Sequence, residues 1–365
     1  MKTNMLPYLA MVFVQFLFSG ASITMKIGFA NGLHQLVFMV YRHIVSTILF
    51  CPFAYAFERK ERPALTFVVI LKIFVMSLIG STIHLNAFSY GLTYTSPTVA
   101  SALNCLTPSL TFLIAFLLRM EKVKITSSKG QAKVLGTLIS MAGTLVITFW
   151  RGGFQINGIL KKPLINIYNS NGLSGHVKQN WVKGATLIST SKVAWSLWLI
   201  FQGLIHKEYP APISINFMVC LFASLQSSFL AIFFARDATL WKLEWDASLL
   251  TIIYGGLVVS GLSYYLVLWS ISKRGPVFAA MFSPLQVPIV GIFSAIVFKE
   301  RLHIGSFIGA LIIIFGLYCV LWGKSGNNSS DLDKKINDVE NDDKASEMVN
   351  NNDKDATKHS NKTEP

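Results

Sequence analysis

Residues 96–123 read SPTVASALNCLTPSLTFLIAFLLRMEKV, and residues 275–302 read GPVFAAMFSPLQVPIVGIFSAIVFKERL. The two stretches share a plan. Pro97 and Pro276 open them, Glu121 and Glu300 close them after the same interval, and each has a proline near its middle, Pro108 and Pro288. A glycine pair comes after each stretch, Gly136 with Gly143 and Gly309 with Gly316, both at one spacing. That spacing is about two helical turns, which puts both members of a pair on one helix face. Four features in the same order indicate an internal duplication.

Around this pair the chain divides into ten apolar runs, each close to the roughly 20 residues that a membrane-spanning helix needs. They lie near 6–28, 34–57, 66–91, 97–118, 131–149, 183–205, 212–234, 248–272, 276–298 and 304–322. The expected fold is therefore an all-α polytopic membrane protein of ten transmembrane helices. Residues 1–149 form the first five-helix copy, 150–182 a linker loop, and 183–322 the second copy. The tail, 323–365, is rich in Asn, Asp, Lys and Ser and has too little apolar surface to fold, so it is expected to be disordered. Five is an odd number, so the second copy enters the membrane upside down relative to the first. Carriers built from such inverted repeats place their substrate near the bilayer midplane, where the copies meet.

Composition agrees. Of 365 residues 52% are hydrophobic and only 14% charged, against about 25% charged in soluble domains, and the mean hydropathy is +0.51. The net charge of +14 is not a nucleic-acid footprint, because its basic groups are scattered over short connections rather than gathered on one face. In the first half Arg59, Lys60, Arg62, Arg119, Lys122, Lys124 and Lys129 fall in one set of loops, and the alternate loops carry none. By the positive-inside rule this puts the N-terminus, and after ten spans the tail, in the cytoplasm. The second half has the opposite bias, and the early spans are taken to govern insertion. The glycosylation sequons beginning at Asn327, Asn328 and Asn361 would then go unused.

Cys51, Cys105, Cys220 and Cys319 lie in apolar runs without metal or disulfide spacing. The histidines show no ligand spacing either, so no metal and no cofactor are expected. The eight acidic residues before the tail, Glu58, Glu61, Glu121, Glu208, Asp237, Glu244, Asp246 and Glu300, all fall in loops or at span ends. Intramembrane carboxylates are the usual ion relays, and no phosphate-binding GxxxxGK[ST] is present. A membrane-embedded enzyme would need a nucleophile–base pair or a His/Asp cluster within the spans, which is missing. Facilitated, gradient-following transport is what remains, with proton coupling disfavoured.

Polar and aromatic groups deep in spans mark a cavity or a helix contact. The cavity candidates are Gln15, Asn86, Tyr90, Lys192, Trp195, Tyr264, Tyr265, Trp269, Ser283 and Gln286. Asn86 and Tyr265 occupy equivalent repeat positions, as do Tyr90 and Trp269, which is why they are expected to converge. Lys192 lies deep in span 6, where it is placed to attract a substrate carboxylate or to reach a backbone carbonyl. Arg42 and Lys26 are nearer span ends and are expected to snorkel. Pro108 and Pro288 are candidates for helix breaks, Glu121 and Glu300 for gating or an interfacial ion-pair cluster, and Gly136, Gly143, Gly309 and Gly316 for close packing of span 5 on span 10.

The ten-span duplicated plan resembles the drug/metabolite transporter superfamily with its two EamA-like halves. Within it, the chain resembles the plant Walls-Are-Thin-related family, also called UMAMIT transporters. The resemblance rests on Tyr41-Arg42-His43, FERKERP (57–63), YGLTYTSPTVASAL (90–103), FLLRMEKV (116–123) and GQAKVLGT (130–137). In the second half it rests on Ala194-Trp195-Ser196, KEYPAP (207–212), RGPVFAAMFSPL (274–285) and GLYCVLWGK (316–324). It implies a facilitator of amino acids or related metabolites, with auxin-like indoles as the alternative substrate. It also implies residence in the plasma membrane or the vacuolar membrane, a small molecule and the lipid bilayer as partners, and no nucleic acid. Lys192 departs from the small or apolar residue expected there in relatives.

Overall fold

The computed structural model describes residues 5–60, 62–95, 97–104, 106–118, 120, 127–149, 155–156, 181–243, 245–298, 302–303 and most of 308–323. Helix dominates. In chain order the helices are α1 (Leu6–Ala30), α2 (Gln35–Glu58), α3 (Phe67–Tyr94) and α4 (Pro97–Leu117). Then come α5 (Ser128–Phe149), α6 (Trp181–Glu208), α7 (Pro212–Phe234), α8 (Ala247–Arg274) and α9 (Pro276–Val297). The described residues between 308 and 323 are helical as well. Among the described residues seven helices, α1–α4 and α7–α9, are long and apolar enough to cross a membrane. α6 is 28 residues long but carries Lys183, Lys192, Gln202 and Lys207. Outside the helices, Gln155–Ile156 pairs antiparallel with Leu302–His303.

Local chemistry sets the helix ends. Pro7, Pro212 and Pro276 stand in first turns, where the missing N–H costs nothing. The Thr66 side chain caps α3, and Asp246 caps α8 by accepting from the amides of Ser248 and Leu249. α7 is capped from a distance: Glu58, at the end of α2, accepts from the amides of Ile213 (2.8 Å) and Ser214 (2.6 Å). Gly275, with φ of +85°, makes the reversal between α8 and α9 that a side chain would resist.

Four helices are irregular, in matched places. α3 contains a π-helical segment, Leu78–Ile83, and α8 contains a longer one, Tyr254–Ser263. α4 turns at Asn104 between the helical pieces Pro97–Leu103 and Leu106–Leu117. α9 turns after Ala280, passes through a tight turn at Ser283–Leu285 and resumes at Gln286. Pro108 and Pro288 both fall in the first turn of the resumed piece. In that position a proline leaves the helix on its C-terminal side intact and blocks continuation of the helix on its N-terminal side.

Among the described residues the most extensive contacts are α3 with α6, α2 with α7, α1 with α8, α4 with α6, and α2 with α8. Large apolar side chains such as Phe16, Ile48, Leu71, Leu225 and Phe229 point outward and are exposed, as suits a surface facing lipid. In lipid, close backbone approach and polar contacts hold helices together more than hydrophobic burial does. Both occur here. A Cβ on Gly136 would come within 2.6 Å of the Gly316 carbonyl, so α5 meets the 308–323 helical stretch backbone to backbone. Gly143 and Gly309 are also buried. Ser77 Oγ donates to the Val219 carbonyl (3.0 Å), and Thr82 Oγ1 to Gln226 Oε1 (2.7 Å), joining α3 to α7.

Candidate functional site

The matched irregularities converge on one cavity. It has about 720 Å³ of space free of protein atoms, its opening included, and is lined from α1, α2, α3, α4, α6, α8 and α9. Most lining residues come in pairs that keep a constant sequence spacing. Leu85 with Tyr264, Phe88 with Val267, Asn104 with Ser283 and Thr107 with Gln286 each keep the spacing of Pro97 to Pro276. On α1 and α6 another constant spacing joins Gln15 to Lys192, Phe18 to Trp195 and Ser22 to Leu199.

One wall is cationic and aromatic. Arg42 is 1% exposed, so it does not snorkel. Its Nε donates to Ser260 Oγ (2.6 Å) and its Nη2 to the Tyr264 hydroxyl (3.3 Å), and the guanidinium lies 5.8 Å from the Tyr264 ring. The π-helical segment of α8 supplies the Ser260 partner, and Tyr264 comes directly after it. From Tyr264, ring contacts continue to Trp195 (5.9 Å), to His84 (4.8 Å) and to Phe88 (6.2 Å). The Lys192 ammonium stands 4.5 Å over the Phe88 ring, a cation–π position. His84 Nδ1 is 2.9 Å from the Ser191 carbonyl and 2.7 Å from its Oγ, which ties α3 to α6 next to Lys192.

The other wall is neutral and polar, and it lies at the two helix breaks. Asn104 Nδ2 donates to Gln286 Oε1, and Gln286 Nε2 donates to Ser22 Oγ (3.3 Å). This chain of hydrogen bonds joins α4, α9 and α1. Among the described residues no carboxylate borders the cavity. Glu58, Asp237 and Asp246 cap helices, and Glu208 pairs with Lys72 at 2.6 Å on the exposed surface. No cluster of His, Cys, Asp or Glu suited to a metal occurs among the described residues.

Of the ten cavity residues expected from sequence, Gln15, Lys192, Trp195, Tyr264, Ser283 and Gln286 line this space. Asn86, Tyr90, Tyr265 and Trp269 are half-buried and lie outside the lining. Asn86 instead donates to the Thr82 carbonyl of its own helix (2.7 Å). Glu121 and Glu300 lie outside the described residues. Arg42, His84, Asn104 and Thr107 also line the cavity and were not among those ten. The repeat spacing held the signal for two of them, since Asn104 matches Ser283 and Thr107 matches Gln286. Lys26, expected to snorkel, instead donates to the carbonyls of Leu92 and Thr95, both at 3.0 Å, and fastens α1 to the C-terminal end of α3.

The chain has recognisable relatives. A family model described as the EamA-like transporter family matches residues 5–149 and 182–322. A WAT1-related protein of Arabidopsis thaliana is 39% identical, over 90% of this chain and 93% of its own length. The Arabidopsis protein named WALLS ARE THIN 1 is 38% identical, over 87% of this chain and 83% of its own. Among solved structures, one titled "Crystal structure of protein" superposes with a TM-score of 0.60 at 15% identity, covering 86% of this chain and 94% of that one. That last likeness concerns fold alone.

Proposed function

Because the chain belongs to the EamA-like transporter family, among its WAT1-related members, we propose that this multi-pass membrane transporter is a facilitative carrier of amino acids or related small metabolites. It works by alternating access, with ten spans arranged as two inverted five-helix repeats. The observation that carries this reading is the cavity lined by repeat-related pairs, with two cations and, among the described residues, no carboxylate. A substrate carboxylate meets the cationic wall, and its body lies on Phe18, Trp195 and Tyr264. With no carboxylate among the described cavity residues to relay a proton, substrate follows its own gradient in either direction. Both termini lie in the cytoplasm, and the host is the plasma membrane or the vacuolar membrane.

The test is flux of radiolabelled amino acids through the purified full-length chain in proteoliposomes, measured as uptake and efflux, with and without a proton gradient. Flux that persists after the gradient is collapsed supports the reading. Strict dependence on the gradient refutes it. A second substrate, an indole carboxylate of the auxin type, is favoured by one observation: the ring-lined wall that runs from Tyr264 to Phe88. Inhibition of amino-acid flux by indole-3-acetate at lower concentration than by leucine would select it.

A further inference from the structure

Arg42 and Lys192 stand at opposite ends of one series of ring contacts, on different helices, and both border the same cavity. Their engagement is incomplete. Arg42 spends Nε and Nη2 on two hydroxyls, which leaves further N–H donors of its five-donor fork. Lys192 makes no hydrogen bond among the described residues and rests on the Phe88 ring. Hydroxyls and ring faces soften the burial of a cation but do not neutralise it, and a buried cation without a counter-charge is strongly unfavourable. The described carboxylates of this protein are all committed at helix ends or on the surface.

We propose that the cavity selects substrates bearing two carboxylates, one set against Arg42 and the other against Lys192. An acidic amino acid or a small dicarboxylate is then carried in preference to its neutral amide. The inference rests on the transport reading above and sharpens its substrate class. A neutral amino acid neutralises one cation and brings an ammonium that meets no carboxylate. An acidic amino acid neutralises both, and its ammonium falls to the facing wall, where the Asn104 side-chain amide lies. Lys192 is the specificity-determining residue in this arrangement. Its repeat-related partner is the uncharged Gln15, so this cation belongs to one half only.

The experiment uses the full-length chain in proteoliposomes, with uptake of labelled glutamate and of labelled glutamine measured separately and each competed by the other. Unlabelled glutamate is expected to half-inhibit at a concentration about tenfold or more below that of glutamine, the scale of one charge-assisted contact. Lys192→Gln is expected to bring the two concentrations together, and Lys192→Arg to keep them apart. A measurement on the wild-type chain guards against misfolded variants: succinate should raise the thermal unfolding temperature more than its monoamide does. Equal potency of glutamate and glutamine on the wild type, or a preference that survives Lys192→Gln, overturns the proposal. Glutamine flux without glutamate flux overturns it while leaving the transport reading intact. Absence of all flux overturns both.

Discussion

Gly80→Ala adds one methyl group at the point where α3 meets α6. Gly80 lies in the first π-helical segment, and a Cβ built on it falls 2.6 Å from Trp198 Nε1 and closer still to the ring carbons. Ordinary contact begins near 3.4 Å, so the indole must retreat by about 1 Å or more in an interior packed like a crystal. Trp198 has no room to do so. It is 0% exposed and stacks on the cavity residue Trp195 at 4.5 Å. Overpacking costs about 1–3 kcal/mol and loss of the ring pair about 0.5–1.5 kcal/mol, so destabilisation of about 2–4 kcal/mol is expected. The assay is thermal unfolding of the purified chain in detergent, monitored by tryptophan fluorescence. Gly291→Ala is the matched control, because nothing lies within 4 Å of its added methyl and helix propensity alone makes it neutral or stabilising by up to about 1 kcal/mol. Adding Trp198→Leu to Gly80→Ala should recover part of the loss. If Gly80→Ala and Gly291→Ala unfold at the same temperature, the contact argument is wrong.

Three further outcomes are expected. Glu58→Ala removes the acceptor for two amides at the start of α7 and should cost about 1–2 kcal/mol, read as a lower unfolding temperature. Lys72→Met breaks the exposed pair with Glu208 and should change stability by less than about 0.5 kcal/mol, a result that separates surface from structural ion pairs. The amide of Thr239 donates to Asp237 and holds its carboxyl below the ordinary value of 3.8. A depressed folded-state pKa favours the turn above pH 3.8, with the support lost as pH falls through the lower folded value. Exchange protection of the Thr239 amide should therefore hold down to that range and then fall, and Asp237→Asn should abolish the dependence.

Much of the helical plan was legible because lipid imposes long apolar runs and because prolines and glycines recur at matched places in the two halves of the sequence. The prolines and glycines could be read for the same reason: Pro108 and Pro288 resume broken helices, and Gly136 meets Gly316, as small residues between spans do. The cavity was only half legible. Gln15 and Lys192 stood out as polar residues in apolar helices, but polarity and repeat equivalence alone selected Asn86 and Tyr265, each close in sequence to a wall residue. Which side of α3 and α8 faces inward depends on the π-helical turns before it, and no periodicity of 3.6 reveals an inserted residue. Arg42 was misjudged on its distance from the span end. Its partners Ser260 and Tyr264 lie on α8, far along the chain, and only the folded bundle brings them to it.

Those π-helical turns have a consequence for motion. A regular helix resists swivelling partway along, because its hydrogen-bond ladder is locked in step. A helix holding one surplus residue has slack: the surplus can travel along the ladder, and the backbone bonds re-form behind it. The residues it passes turn by about 100° and shift along the axis by about 1.5 Å. Directly beyond these turns α3 and α8 carry Leu85, Phe88, Tyr264 and Val267. Passage of the surplus through them would swing these side chains off the cavity wall and bring sequence neighbours onto it, while both ends of each helix stayed in place.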